Sequence, residues 1–293
     1  MNMNMPLLDE EEITSLNGRG SSIGRLLLEM GKITSEGAER VLHLQKERNL
    51  RFGEAAQLLG LITEEDIRQV LARQFDYPYL QENEGGFSPK LVAAYQPFSA
   101  EVEAYRAVRS QLMIRHFSGA RKMLAVMGVD AASETSEVAA NLAVVLSQLG
   151  ERTVLIEANL RRPKQRDLFN LNTRAGLSDV LAGRAGAEAV CKISEFRSLS
   201  VLQAGTVPPN PQELLNRSTF SQLNDGLSRD HDVLLYDVPS ADTGADAFNV
   251  AARCRGVLLV ARKNTTRVAN VRAVVEQLER SGVAVVGSVM LDK

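Results

Sequence analysis

Tryptophan is absent and aromatic residues make up only 5% of the 293 residues, so the stacking platforms that grip single-stranded nucleic acid are not expected. No charge of one sign prevails. Thirty-four Lys and Arg against 36 Asp and Glu leave a formal net charge of −2, which argues against nucleic acid or an anionic membrane as partner. Long apolar runs are missing too: the best, 282–291, is half of the roughly 20 residues that a membrane span needs. The two cysteines, Cys191 and Cys254, fit neither a metal spacing nor a disulfide framework, which points to buried thiols in a reducing compartment. His43, His116 and His231 have no partners at metal spacing. The opening stretch MNMNMPLLDEEE lacks the charged-then-apolar order of a signal peptide. These absences lead to the expectation of a cytoplasmic protein with no membrane span of its own. Its length suits about two domains of roughly 100–200 residues.

What is present begins with a duplication. Residues 23–45 (IGRLLLEMGKITSEGAERVLHLQ) align with 52–74 (FGEAAQLLGLITEEDIRQVLARQ), with eight of 23 positions identical. A repeated unit of this size is one supersecondary element used twice. Thr34 and Thr63 are N-cap candidates followed by acidic residues, and Gly31 and Gly60 stand where a C-cap would end the preceding helix. The expectation is a flexible lead over 1–20, a small all-α helical-repeat domain over 21–80, and a Gly- and Pro-containing linker over 81–98.

From residue 99 the pattern changes. Apolar strands at 122–128, 153–156, 199–203, 233–236, 257–261 and 283–291 alternate with helical stretches at 101–117, 137–149, 161–171, 176–183 and 270–280. That alternation predicts an α/β domain, 99–293, with a parallel sheet covered by helices on both faces and ligands at the carboxyl ends of its strands. A phosphate cradle belongs in the first strand–loop–helix, which reads Gly128-Val-Asp-Ala-Ala-Ser-Glu-Thr-Ser136. The frame of a P-loop is there; the glycines and the lysine that would carry its chemistry are not.

Three further motifs carry a resemblance. Gly205-Thr-Val-Pro-Pro-Asn-Pro-Gln-Glu-Leu-Leu215, Gly176-Leu-Ser-Asp-Val-Leu-Ala-Gly183 and Asn141-Leu-Ala are similar to the G-x-x-P-P-N-P-x-E-L-L, G-L-x-D-x-L-x-G and N-L-A segments of the bacterial tyrosine autokinases (BY-kinases). With the helical repeat in front, the chain resembles the EpsG-type chain-length-determinant kinases of exopolysaccharide biosynthesis. The resemblance implies a P-loop NTPase-like fold with ATP and Mg²⁺ as cofactors. Registered on Asn141, it places Ser133, Glu134, Thr135 and Ser136 at the phosphates, with Thr135 where the family has Lys and Glu134 where it has Gly. Ser136 and Asp237 would hold Mg²⁺. The family's D-x-D-x-R reads Glu157-Ala-Asn159-Leu-Arg161, so the catalytic acidic motif is degenerate. Glu103, Arg106 and Arg109 match the E-x₂-R-x₂-R helix through which the family assembles into rings. The family's tyrosine cluster is missing, Tyr236 being the last tyrosine of the sequence.

Phosphoryl transfer rests on positioning and electrostatic stabilisation. Thr135 supplies no cation, Glu134 adds an anion, and Asn159 is no base. The expected function is therefore a non-catalytic or severely weakened member, regulating polysaccharide chain length beside a membrane chain-length determinant or an active kinase paralogue. Through such a partner it would lie peripheral to the inner membrane. Two alternatives are a functioning autokinase that replaces the lysine by another residue, and a partitioning-type ATPase relative, against which the Pro-Pro-Asn-Pro segment speaks. Arg161, Arg162, Lys164 and Arg166 form a basic cluster, and Arg262 and Lys263 follow a strand end near the expected pocket. The repeat in turn is similar to the N-terminal domain of type II secretion and pilus ATPases, which implies cyclic di-GMP contacts at Gly24, Gln45, Arg51, Gly53 and Gln74. Ser22 departs from that pattern, standing where an Arg would meet phosphate.

Overall fold

The computed structural model describes residues 23–74, 80 and 84–292. They fall into two compact units that divide after residue 78. The lead expected over 1–20 and Ser22 lie outside the described residues.

The smaller unit is four helices: α1 (Ile23–Glu29), α2 (Ser35–Arg48), α3 (Phe52–Leu58) and α4 (Glu64–Gln74). The duplication fixes its punctuation. Thr34 Oγ1 accepts from the Gly37 amide at 3.1 Å, and Thr63 Oγ1 accepts from the Asp66 amide at 3.2 Å while the Asp66 carboxylate accepts from the Thr63 amide. Gly31 and Gly60 both have φ of 66°, the left-handed turn that stops a helix. Leu27 and Val41 from one repeat meet Ala55, Ala56 and Val70 from the other in a shared core.

The larger unit opens with α5 (Val92–Tyr95) and α6 (Ala100–Arg115). It continues with β1 (Met123–Gly128), α7 (Thr135–Gln148), β2 (Thr153–Glu157), α8 (Gln165–Leu168) and α9 (Leu177–Leu181). Then come β3 (Cys191–Lys192), β4 (Leu199–Leu202), α10 (Pro211–Asn216), α11 (Ser218–Asp230) and β5 (Val233–Asp237). It ends with α12 (Ala245–Cys254), β6 (Gly256–Arg262), α13 (Val268–Arg280) and β7 (Ala284–Leu291). The strands form one sheet in the order β3-β4-β2-β5-β1-β6-β7. All pairings are parallel except β3 with β4. One core, with Leu91, Val102, Leu142 and Val145, lies on one face. A second, with Leu177, Phe220, Val250 and Leu278, lies on the other. Helices thus cover both faces, and β1, β2 and β5 are apolar runs because both of their sides are buried.

The structure departs from the sequence reading in four places. Residues 84–98 of the expected linker belong to the larger unit. Leu91, Ala93 and Ala94 are fully buried, and the buried Asn141 ties them down: its Oδ1 accepts from the Ala93 amide at 2.9 Å and its Nδ2 donates to the Lys90 carbonyl at 2.9 Å. The basic helix expected over 161–171 shrinks to α8, because Pro163 forces an extended residue before it and offers no amide. Helix α7 starts at Thr135 rather than 137. Finally, β3 is antiparallel, and helices α10, α11 and α12 add to those expected from the sequence.

Candidate functional site

The site lies at the carboxyl ends of β1, β2, β5 and β6. Gly128 ends β1, where a Cβ would overlap Thr135 Oγ1 and lie 2.9 Å from the Ser133 Cβ, so only Gly lets the loop fold back so tightly. Asp130 accepts from the Ala132 amide at 3.2 Å and from the Ser133 hydroxyl at 3.2 Å. The Ser133 side chain is therefore fully buried in the loop's own turn. Glu134 takes the left-handed conformation, φ 43° and ψ 39°, at the position where the family resemblance implies Gly. Its carboxylate makes no capping bond to α7; it pairs with the Arg262 guanidinium from the end of β6. The anion that sequence reasoning left uncompensated in this loop thus has a resident cation. Thr135 is almost wholly buried at the first turn of α7.

Ser136 and Asp237 are neighbours across the site, near enough for the Ser136 hydroxyl to pull the Asp237 carboxyl down. The partner that sequence reasoning missed is Gln165. Its Nε2 donates to Asp237 Oδ2 at 2.8 Å and to the Ser136 carbonyl at 2.9 Å. Gln165 stands in the polar run Lys164-Gln-Arg-Asp167 after Pro163, and nothing in a sequence says that one side chain of such a run points inward. Asp237 Oδ1 and Gln165 Oε1 are buried and accept no hydrogen bond. Burial pushes the Asp237 carboxyl up to about 6, against the pull of Gln165 and Ser136.

Glu157 stands apart from the role the motif gave it. One oxygen accepts from the Lys164 and Gln165 amides, the latter at 2.8 Å, and the other from the Ala204 amide at 2.9 Å. It is a buried brace between three chain segments, with its lone pairs engaged by the backbone. Asn159 Oδ1 accepts from the Arg162 amide at 3.3 Å and so closes a turn. Arg161 pairs with the buried Asp246 at 2.7 Å. Arg162, Lys164 and Arg166 are exposed. The degenerate motif is thus spent on local structure.

The two glycine-framed motifs clasp each other at the end of β4. Asp179 accepts from the Gly176 amide at 3.2 Å, the Thr206 amide at 3.0 Å and Arg184 at 3.1 Å. The Ser178 hydroxyl donates to the Thr206 carbonyl at 2.6 Å. Since Ala204 also binds Glu157, this clasp is wired through Gln165 to Asp237.

Burial pushes the Glu157 carboxyl up to about 7, and the neighbouring Asp237 charge adds to it, against the pull of the three amides. Both Glu157 and Asp237 therefore hold a proton to higher pH folded than unfolded, from starting values of 4.5 and 3.8. The contribution of these two groups to folding stability is then fully present at acidic pH and declines as pH climbs from about 4 to about 7, whereas His116 and His231, held below their ordinary value by burial, contribute in the opposite direction. Urea denaturation of the parent and of Glu157→Gln across pH 4–8 should differ by this declining part, the variant costing about 1–3 kcal/mol at low pH, because its Nε2 would face an amide donor. A difference between the two that does not change with pH would contradict the assignment.

The remaining expected sites lie elsewhere. In α6 Glu103 is exposed and pairs with Arg106, whereas Arg109 reaches inward to the Val145 carbonyl at 2.8 Å; the three do not form one exposed face. In the small unit Gly24 and Gly53 are packing glycines: a Cβ would lie 3.0 Å from the Phe52 ring and 3.1 Å from Ile67. Gln45 is half-buried, Arg51 is exposed at the start of α3, and the Gln74 side chain lies outside the description. Helix packing alone accounts for those glycines, and the cyclic di-GMP reading finds no support.

Among the described residues no helix is long and apolar enough to cross a membrane. No protein-family profile matches the chain. The putative tyrosine-protein kinase CapB of Staphylococcus aureus is 30% identical over 195 residues, 67% of this chain and 86% of that protein. The tyrosine-protein kinase Wzc of Salmonella typhi is 30% identical over 201 residues, 69% of this chain. Of such longer curated relatives the chain spans about 30% of the length, 28% for Wzc and 31% for a putative tyrosine-protein kinase in the cps region of Klebsiella pneumoniae. Among solved structures, the kinase domain of the Escherichia coli tyrosine kinase ETK superposes with a TM-score of 0.66 at 30% identity, covering 69% of this chain and 79% of that one. With this sheet order, this loop and these relatives, the chain belongs to the bacterial tyrosine-kinase family, on its P-loop NTPase-like fold.

Proposed function

We propose that this chain is a regulatory member of that family in capsule or exopolysaccharide assembly, one that holds a nucleotide at the β1–α7 loop and transfers its phosphate poorly or not at all. The observation that carries this reading is the loop itself. Thr135 stands in place of a lysine, and the adjacent carboxylate of Glu134, held by Arg262, puts negative charge where phosphoryl transfer calls for positive. Loss of one preorganised donor costs roughly 10²–10³ in rate.

A divalent cation fits the residues present, because Asp237 Oδ1 and Gln165 Oε1 are buried oxygen acceptors without donors and hard cations take oxygen ligands. Ser136 and Asp237 would hold it, and the ion would supply positive charge between phosphate oxygens. Asn159, closing its turn with Arg162, accepts no proton from a tyrosine. Nor are acceptors at hand among the described tyrosines: Tyr236 and Tyr105 are buried, and Tyr95 donates to the Glu84 and Phe87 carbonyls. A membrane polysaccharide-export protein or an active relative is the partner this reading requires.

The test is incubation of the purified chain with γ-labelled ATP and Mg²⁺ followed by phosphoamino-acid analysis. No label on tyrosine is expected, while an active relative run in parallel is labelled. Stoichiometric phosphotyrosine on the isolated chain would overturn the proposal in favour of a working autokinase.

A further inference from the structure

We propose that Arg262 is the cation with which this chain binds a nucleoside polyphosphate, and that Glu134 is its resident counter-ion, displaced when the phosphates arrive. This rests on the reading that the loop holds a nucleotide, and it names the residue that replaces the missing lysine.

Placement comes first. β6 pairs with β1 so that Val260 lies beside Gly128, and the Val260 carbonyl accepts from the first loop amide, that of Val129, at 2.9 Å. Two residues on, Arg262 stands at the mouth of the loop. Its backbone is pinned: its amide donates to Thr266 Oγ1 at 2.9 Å and its carbonyl accepts from the Thr266 amide at 2.9 Å. A guanidinium on an anchored Cα, reaching over a loop at the carboxyl end of a parallel sheet, is where such folds bind anions.

The side chain's own hydrogen bonds come second. One terminal nitrogen serves Glu134, while Nε is buried and has no acceptor. A five-donor planar fork matched to a single carboxylate oxygen is under-used, and phosphate offers the bidentate partner that the fork fits. Of the other cations around the site, Lys90 pairs with Glu137 and Lys263 with Asp292, and Lys164 acts on Asp237.

Glu134 supplies the third observation. It occupies a left-handed conformation that favours glycine, without a capping bond to repay it. Glu134 also lines a cavity of about 580 Å³ whose wall is apolar at Tyr105, Val108, Val138 and Val289 and acidic at Glu101, Glu137 and Asp292, large enough for the base of a nucleotide. One carboxylate thus sits between this chamber and a guanidinium, where a polyphosphate would have to pass. A di- or triphosphate carries more charge than Glu134 and competes for Arg262 in its favour.

The experiment is calorimetry on the full chain with three probes: ADP, inorganic tripolyphosphate and adenosine. Glu134→Gln should tighten ADP and tripolyphosphate by about 10–100-fold, the worth of a charge-assisted contact, and leave adenosine unchanged. Arg262→Gln should weaken ADP by a similar factor and cancel the gain in the double variant; Arg262→Lys should fall between. The proposal is overturned if Arg262→Gln binds ADP like the parent, if the Glu134→Gln gain survives loss of Arg262, if adenosine responds equally, or if no variant binds ADP. Should Arg262→Gln fail to fold by circular dichroism, Arg262→Lys with and without Glu134→Gln decides, an undiminished ADP affinity in both overturning the proposal. ADP has no transferable γ-phosphate, so phosphotyrosine on the parent chain would sink the regulatory reading and leave this result standing. Loss of Arg262 dependence would do the reverse.

Discussion

Exchanging Glu134 for Gly together with Thr135 for Lys is expected to raise the affinity for ATP with Mg²⁺ by about 10–100-fold in calorimetry, the worth of one charge-assisted contact. Three effects act in the same direction. Glycine meets the φ of 43° at position 134 without the steric cost that a Cβ carries there. Removing the carboxylate takes an anion from the path of the phosphates and frees Arg262. The new ammonium starts from the first turn of α7, whose N-terminal amides already favour anions. Thr135→Lys alone should gain far less, because the ammonium would pair with Glu134 instead. If the double variant gains nothing, the decay of the site reaches past the loop into the Ser136–Asp237–Gln165 arrangement.

Gly205→Ala should be strongly damaging for so small a substitution, costing about 3 kcal/mol or more in urea denaturation. Gly205 has φ of +79°, and a Cβ there would overlap Asp179 Oδ2 and lie 2.7 Å from the Gly176 amide nitrogen. Overpacking costs about 1–3 kcal/mol and the left-handed conformation about 1–2 more. Neither neighbour can yield, since Asp179 is held by two amides and Arg184. Gly226→Ala is the contrast. It lies on the exposed side of α11 with nothing within 4 Å of a Cβ, and should gain about 0.5–1 kcal/mol by restricting the unfolded chain. Equal losses at both positions would mean that the clasp contributes no more than any helix surface.

The α/β architecture was legible because its strands are buried on both faces and so announce themselves as short apolar runs. The repeat was legible because helix ends reuse the same chemistry: Thr34 and Thr63 cap, Gly31 and Gly60 stop. The site was legible as a frame and opaque in its pairing. Ser136 and Asp237 came from the register of a motif, but Arg262 sits 128 positions from Glu134 and Gln165 sits 72 from Asp237. A contact across that distance leaves no periodicity to read. Glu157 misled for a related reason: a carboxylate after a strand looks the same in sequence whether it faces a ligand or three backbone amides. The 81–98 stretch misled because Gly85, Gly86 and Pro97 dominate its composition, while Leu91 and the Ala93–Ala94 pair, which Asn141 fastens, are too few to show a period.

Tyr236 lies in the middle of the sheet, wholly buried, with its hydroxyl donating to Asn224 at 2.6 Å and its ring edge-on to Phe220. No enzyme can reach that oxygen while β5 keeps its neighbours. A modified peptide covering position 236, if mass spectrometry of cell extracts ever yields one, would therefore mark molecules that had lost their fold before the kinase met them, and would serve as a gauge of misfolding rather than of signalling.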